Sequence, residues 1–196
     1  MKKIPMMIVN ALLVIFCFAN PAYAHEMADG GGFISGLSHP VLGFDHLLAM
    51  LSVGILSAQM GGRAIWTVPA TFVAVMFIGG VMGMQGISLF SVELGIAVSV
   101  FALGVTICVD RKLPALIAMM FVGFFAVFHG YAHGIEMPYL AEPALYVSGF
   151  LLGTIAIHIA GVIVGTFLGK LSQGDQKLKY LGAAIGGIGF HLIMLT

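Results

Sequence analysis

The side chains best suited to metal chemistry gather in two short stretches that lie far apart in the chain. The first is HPVLGFDHLLAM, from His39 to Met50, and the second is FHGYAHGIE, from Phe128 to Glu136. Imidazole nitrogens and carboxylate oxygens together suit divalent nickel, cobalt, zinc or copper(II). We therefore expect the two stretches to form the two halves of one metal site. Its candidate ligands are His39, Asp45, His46, His129, His133 and Glu136.

Helical periodicity indicates which of these side chains can point the same way. If the second stretch is helical, its three candidate ligands lie within about 60° of one another around the axis. In the first stretch, His39 and His46 are predicted to share a face, while Asp45 points about 100° away. Pro40 and Gly43 could start or distort that helix and change these angles.

The composition is that of an integral membrane protein. Of the 196 residues, 60% are hydrophobic and only 8% are charged, with a mean hydropathy of +1.10. A soluble domain carries roughly a quarter charged residues. A formal net charge of zero argues against nucleic-acid binding, and two cysteines cannot make a disulfide framework. An unpaired charged group is costly in hydrocarbon, so the two polar stretches indicate function.

The first 24 residues resemble a secretory signal peptide. Lys2 and Lys3 precede an apolar run, and small residues at Ala22 and Ala24 predict cleavage before His25. The alternative is an uncleaved first transmembrane helix. Cleavage would place an α-amine beside the His25 imidazole, two nitrogens that can chelate one divalent ion at the start of a mature domain spanning 25–196.

Six continuously apolar segments follow, each close to the ~20 residues that cross a bilayer. They run approximately over 40–60, 65–85, 90–109, 113–133, 143–169 and 178–195. This pattern predicts an all-α, six-helix transmembrane bundle. The mature basic residues all fall in loops after the first, third or fifth segment, namely Arg63, Arg111, Lys112, Lys170, Lys177 and Lys179. Because basic loops stay in the cytoplasm, both mature termini and both polar stretches are predicted on the outer side of the membrane.

Three further residues are candidates for secondary metal contacts. Glu93 opens the third segment and His191 lies near the outer end of the sixth, while His158 lies inside the fifth. Single intramembrane histidines are more often structural than ligating. The thirteen methionines leave a copper(I) site open, although packing explains most of them. Glycines spaced four apart, as at Gly149 and Gly153, are typical of close helix packing or of a homo-oligomer contact.

Two motifs give the chain a specific resemblance. His39-Pro40-x-x-Gly43-x-Asp45-His46 and Phe128-His129-Gly130-x-Ala132-His133-Gly134-x-Glu136 resemble the signature motifs of the HupE/UreJ family of nickel/cobalt permeases. The likeness extends over the signal peptide and the six mature spans. It implies a secondary permease of the bacterial inner membrane that takes up Ni2+ or Co2+ as substrate, without a permanent cofactor. It also implies an indirect link to the maturation of hydrogenase, urease or cobalamin enzymes.

Two other classes of function remain open from the residues alone. An intramembrane hydrolase could use bound zinc to activate water, given an open coordination position and a cleft. A b-type haem carrier could use axial imidazoles, although haem has no need of the neighbouring carboxylates. The sequence contains no P-loop, because Leu171 stands where the motif requires Ser or Thr after Gly169-Lys170.

Overall fold

The described part of the protein is entirely helical. A computed structural model describes residues 32–110, 113–138 and 141–196, and these contain no strand. Their helices are α1 (Gly32–Leu42), α2 (Phe44–Met60), α3 (Ala64–Met84), α4 (Val92–Val109), α5 (Ala115–Ile135), α6 (Pro143–Gly169) and α7 (Gly174–Ile193). The prediction of an all-α fold is therefore confirmed for these residues. The predicted signal peptide and His25 lie outside the described residues.

Four of these helices, α3 to α6, are long and apolar enough to cross a membrane on their own. The pair α1 and α2 meets the same test when its two helices are taken together, although they are bent by 80°. The predicted sixth span overlaps α7, which is 20 residues long but carries Asp175, Lys177 and Lys179 near its start and is not among the candidates. The chain is a multi-pass membrane protein, and its predicted count of six spans stays a prediction.

The first predicted span differs most from expectation. The sequence predicts one helix over 40–60, whereas the structure has a break at Gly43, whose extended backbone (φ −79°, ψ 107°) separates α1 from α2. Pro40 lies inside α1 and does not begin a helix. The prediction that His39 and His46 share one helical face is therefore wrong, since the two residues belong to different helices.

Glycines allow the helices to pack backbone to backbone. A Cβ at Gly130 of α5 would overlap the Met76 carbonyl of α3, and one at Gly36 of α1 would overlap the Tyr146 carbonyl of α6. Of the spaced glycines noted in the sequence, Gly149 faces α1 in the same way. The closest helix pairs are α3 with α5, α4 with α7, and α6 with both α1 and α2. These glycine contacts lie within one chain and so support the packing interpretation.

The two ends of the bundle carry different side chains. At one end, the Lys179 ammonium lies 3.5 Å from an oxygen of Asp110, and the Gln59 amide donates to the other Asp110 oxygen at 3.4 Å. We call this the basic end. At the opposite end, α2 and α4 begin and α5 terminates, which brings Asp45, Glu93 and Glu136 to the same end as most of the histidines. We call this the site end.

Candidate metal centre

The break between α1 and α2 creates the candidate site. It places His39 near the end of one helix and His46 in the first turn of the next, so that both reach the end of α5 from different directions. Imidazole ring centroids show the result: His39 and His46 lie 4.9 Å and 4.6 Å from His133, respectively. Two histidines that a straight helix would have stacked along one face instead converge on a third.

The more exposed part of the site combines two imidazoles and a carboxylate. His39 Nε2 lies 2.8 Å from Glu136 Oε2, and the nearest ligand atoms of His39, His133 and Glu136 all lie within 4.8 Å of one another. We call these three residues the outer cluster. The hydrogen bond from His39 holds the pKa of the Glu136 carboxyl below its usual value, so this carboxylate is charged near neutral pH. The side chains of His39 and Glu136 are 26% and 46% exposed.

Deeper in the bundle, three histidines form what we call the inner cluster, composed of His46, His129 and His133. The His46 ring lies edge-to-face with the other two, at centroid distances of 4.8 Å to His129 and 4.6 Å to His133. All three are buried. The nitrogens His46 Nε2, His129 Nδ1 and both nitrogens of His133 have no hydrogen-bond partner within the described chain. Buried polar atoms are nearly always satisfied, so these four nitrogens are candidate ligand atoms.

Asp45 orients one of these rings. Its Oδ1 accepts a hydrogen bond from the backbone N–H of His46 at 2.8 Å and lies 3.0 Å from His46 Nδ1. A carboxylate only accepts, so the proton of a neutral His46 ring lies on Nδ1 and the lone pair of Nε2 remains free. This is the carboxylate–histidine arrangement that commonly supports a metal ligand. The sequence predicts Asp45 as a ligand, and in the structure its Oδ1 contacts both the backbone N–H and the ring of His46.

Aromatic side chains enclose the inner cluster. Phe150 of α6 stacks on His133 at 5.4 Å, with an interplanar angle of 21°. Phe72 of α3 contacts both His129 and His158, with ring centroids 5.5 Å and 5.2 Å away, respectively. These rings exclude water, which strengthens any electrostatic interaction between an ion and its ligands.

His158 lies beyond Phe72, further into the bundle. It is 2% exposed, and its ring packs against that of Phe72. It also lines a cavity of about 330 Å³ between α3 and α6 whose other lining residues are apolar. The sequence could assign it no partner, and the structure places it one aromatic ring away from the inner cluster.

The remaining candidates are placed less closely. Glu93 is exposed in the first turn of α4, where the carboxylates of Asp45 and Glu136 at the site end repel its charge. His191 is exposed on α7, and within the described chain no ring contact or hydrogen bond joins its side chain to another histidine. Ser99, which the sequence analysis missed, contacts His129. A single serine in an apolar helix gives no signal of that contact.

The motifs that occupy this site can be compared with known proteins. The model of the HupE / UreJ protein family matches residues 12–192. The chain belongs to the HupE / UreJ family. Protein HupE of Rhizobium leguminosarum bv. viciae is 40% identical over 180 residues, which cover 91% of this chain and 94% of that protein. No solved structure matches the chain.

The match covers the described structure up to residue 192, so both motifs lie within it. It agrees with the resemblance that the two histidine motifs carried. It also supports the coarser conclusion that the chain is a multi-pass membrane protein of a transporter family.

Proposed function

We propose that this HupE / UreJ protein is a secondary permease that takes up a divalent transition metal ion, Ni2+ or Co2+, from the periplasm across the inner membrane. The ion would bind the outer cluster first and then the inner cluster, with His133 common to both. The mature termini and the site end would face the periplasm, and the imported ion would serve the maturation of nickel or cobalt enzymes.

The observation that carries this proposal is the set of unpartnered nitrogens in the inner cluster. His46, His129 and His133 are buried side by side, yet four of their ring nitrogens donate to and accept from nothing in the described chain. Leaving a polar atom unsatisfied inside a protein costs about 1–3 kcal/mol each. A borderline divalent ion would satisfy several of these lone pairs at once.

The order of the clusters supports a route into the bundle. Glu136 and His39 are partly exposed, His133 links them to the buried rings, and His158 follows behind Phe72. Without a P-loop, the energy would come from the ion gradient and the membrane potential. The potential contributes about 4–5 kcal/mol per 100 mV to the inward movement of a doubly charged ion, if nothing is exchanged for it.

The alternative, an intramembrane zinc hydrolase, requires a water-bearing coordination position and a cleft for substrate. Membership of a transporter family favours the permease.

Uptake of radiolabelled Ni2+ and Co2+ by cells expressing the protein tests the proposal. We expect saturable uptake that His129→Ala abolishes at low external metal, with normal amounts of protein in the membrane. His191→Ala is the control, since it removes an exposed imidazole on α7 that contacts no other histidine in the described chain. Excess Zn2+ and Cu2+ measure selectivity. Undiminished uptake by the His129→Ala protein would refute the proposed site.

A further inference from the structure

Ser99 of α4 makes two short contacts inside the bundle, and together they determine where a proton lies. The side chain is fully buried. Its Oγ lies 2.6 Å from the backbone carbonyl oxygen of Ile96 and 2.8 Å from Nε2 of His129. Both distances are those of good hydrogen bonds.

The serine hydroxyl has only one proton, and it must lie toward Ile96. Two oxygens 2.6 Å apart repel each other unless a proton lies between them, and a carbonyl oxygen has none to give. The contact between Oγ and Nε2 then needs a proton from the ring. Since a neutral imidazole carries one N–H, that N–H is at Nε2 of His129.

The other nitrogen of the same ring is thereby left with a free lone pair. His129 Nδ1 is buried and has no hydrogen-bond partner in the described chain, and the centroids of the His129 and His46 rings are 4.8 Å apart. We infer that Ser99 is a positioning residue that holds His129 in the Nε2–H tautomer and so makes Nδ1 the nitrogen that binds the ion. This inference rests on the proposed function only for the identity of the ligand.

The inner cluster would then use opposite nitrogens of two neighbouring rings. Asp45 occupies Nδ1 of His46 and leaves Nε2 free, whereas Ser99 occupies Nε2 of His129 and leaves Nδ1 free. The two supports also differ in charge. A carboxylate makes its imidazole a stronger electron donor than a neutral hydroxyl does, so His46 is the more basic ligand and His129 the more readily released one.

Ser57 provides a matched control for removing a buried hydroxyl. Its side chain is also fully buried in a helix and donates to the carbonyl three residues earlier, that of Gly54, at 2.8 Å. Within the described chain its hydroxyl has no imidazole contact. Ser57→Ala therefore removes the same group and the same backbone hydrogen bond without touching the site.

The tautomer can be measured in the metal-free wild-type protein. Nitrogen-15 NMR of histidine-labelled protein in detergent distinguishes a protonated ring nitrogen from one with a lone pair, and a His129→Asn sample assigns the signal. We expect His129 to show N–H at Nε2 and a lone pair at Nδ1. A proton on Nδ1 would overturn the inference, and this measurement requires no serine variant to fold.

Calorimetric titration of purified protein with Ni2+ tests the consequence. Groups that orient a metal ligand typically contribute about 10–100-fold in affinity. We expect Ser99→Ala to weaken Ni2+ binding by at least about 10-fold and Ser57→Ala to leave it within about twofold. In a His129→Ala background, Ser99→Ala should have less than about a twofold further effect, because its partner is gone.

The outcomes separate this inference from the proposed function. Wild-type affinity in a folded Ser99→Ala protein, or an equal loss in the His129→Ala background, would refute the positioning role. If the wild-type protein shows the expected tautomer but binds neither Ni2+ nor Co2+, the proposed function fails and the proton assignment stands.

Discussion

The outer and inner clusters share His133 but differ in nearly every other respect. The outer cluster pairs a carboxylate with imidazoles, and two of its three side chains are partly exposed. The inner cluster contains only imidazoles as direct candidates, and aromatic rings surround it. An exposed carboxylate attracts a hydrated cation. A buried cluster of neutral imidazoles binds an ion only after the ion has lost its hydration water.

This difference predicts a division of labour that kinetics can resolve. Changes in the outer cluster should mainly alter the metal concentration needed for uptake. Changes in the inner cluster should lower uptake at every concentration. A variant of the shared residue should show both effects.

We expect the largest loss from His133→Ala, because it removes a residue from both clusters. Uptake should fall by more than about 100-fold, since even groups outside the ligand set commonly contribute about 10–100-fold. Radiolabelled Ni2+ uptake over a wide concentration range would show this, with His191→Ala as the control and membrane abundance measured in parallel. Recovery of the full rate at saturating metal would argue that His133 serves only the outer cluster.

The next largest effect should come from Asp45→Asn. An asparagine amide can donate to Nδ1 of His46, which would move the ring proton to Nε2 and block the nitrogen that faces the cluster. We expect Ni2+ affinity to fall by about 10–100-fold in calorimetry. Asp110→Asn is the control at the basic end, where that carboxylate pairs with Lys179. Unchanged affinity in Asp45→Asn would remove Asp45 from the site.

Glu136→Gln should have a moderate effect, confined to the metal concentration that uptake requires. The carboxylate is 46% exposed, so solvent screens its attraction for the ion. We expect KM for uptake to rise about 3–10-fold while the maximal rate stays within about twofold. Glu142→Gln is the control, because Glu142 is an exposed acid at the start of α6, at the same end, and its side chain makes no capping hydrogen bond. A lower maximal rate with unchanged KM would instead mean that Glu136 acts together with the inner cluster.

The smallest effect should come from His158→Asn, which replaces a buried imidazole beyond Phe72. If His158 receives the ion after the inner cluster, the maximal rate should fall about two- to threefold with KM nearly unchanged. Rates that match wild type at all concentrations would make His158 a structural residue of the cavity between α3 and α6.

Sequence reasoning was most successful where contacts are local. The predicted apolar segments 65–85, 90–109, 113–133 and 143–169 overlap α3 to α6. The four-residue spacing of His129 and His133 predicts that both share one face of a helix, and both are buried in α5. Helix geometry alone fixes such a relation, whatever the rest of the bundle does. Whether these residues bind an ion remains a proposal.

Contacts between distant segments could not be predicted in this way. A glycine at position 43 does not by itself predict that the chain bends there by 80°. It is this bend that turns His39 and His46 toward His133. Ser99 reaches His129 only because α4 packs beside α5. Both features depend on which helices become neighbours, and six apolar segments allow many arrangements.

The glycine-lined helix contacts have a mechanical consequence. They hold α6 against α1 and α2, and α3 against α5. We therefore expect each of these two sets of helices to move as one rigid unit. The unit of α1, α2 and α6 carries His39, Asp45 and His46. The unit of α3 and α5 carries His129, His133 and Glu136. Each cluster therefore takes residues from both units. A rigid-body rotation that separated the two units would remove ligands from an ion in either cluster at the same time.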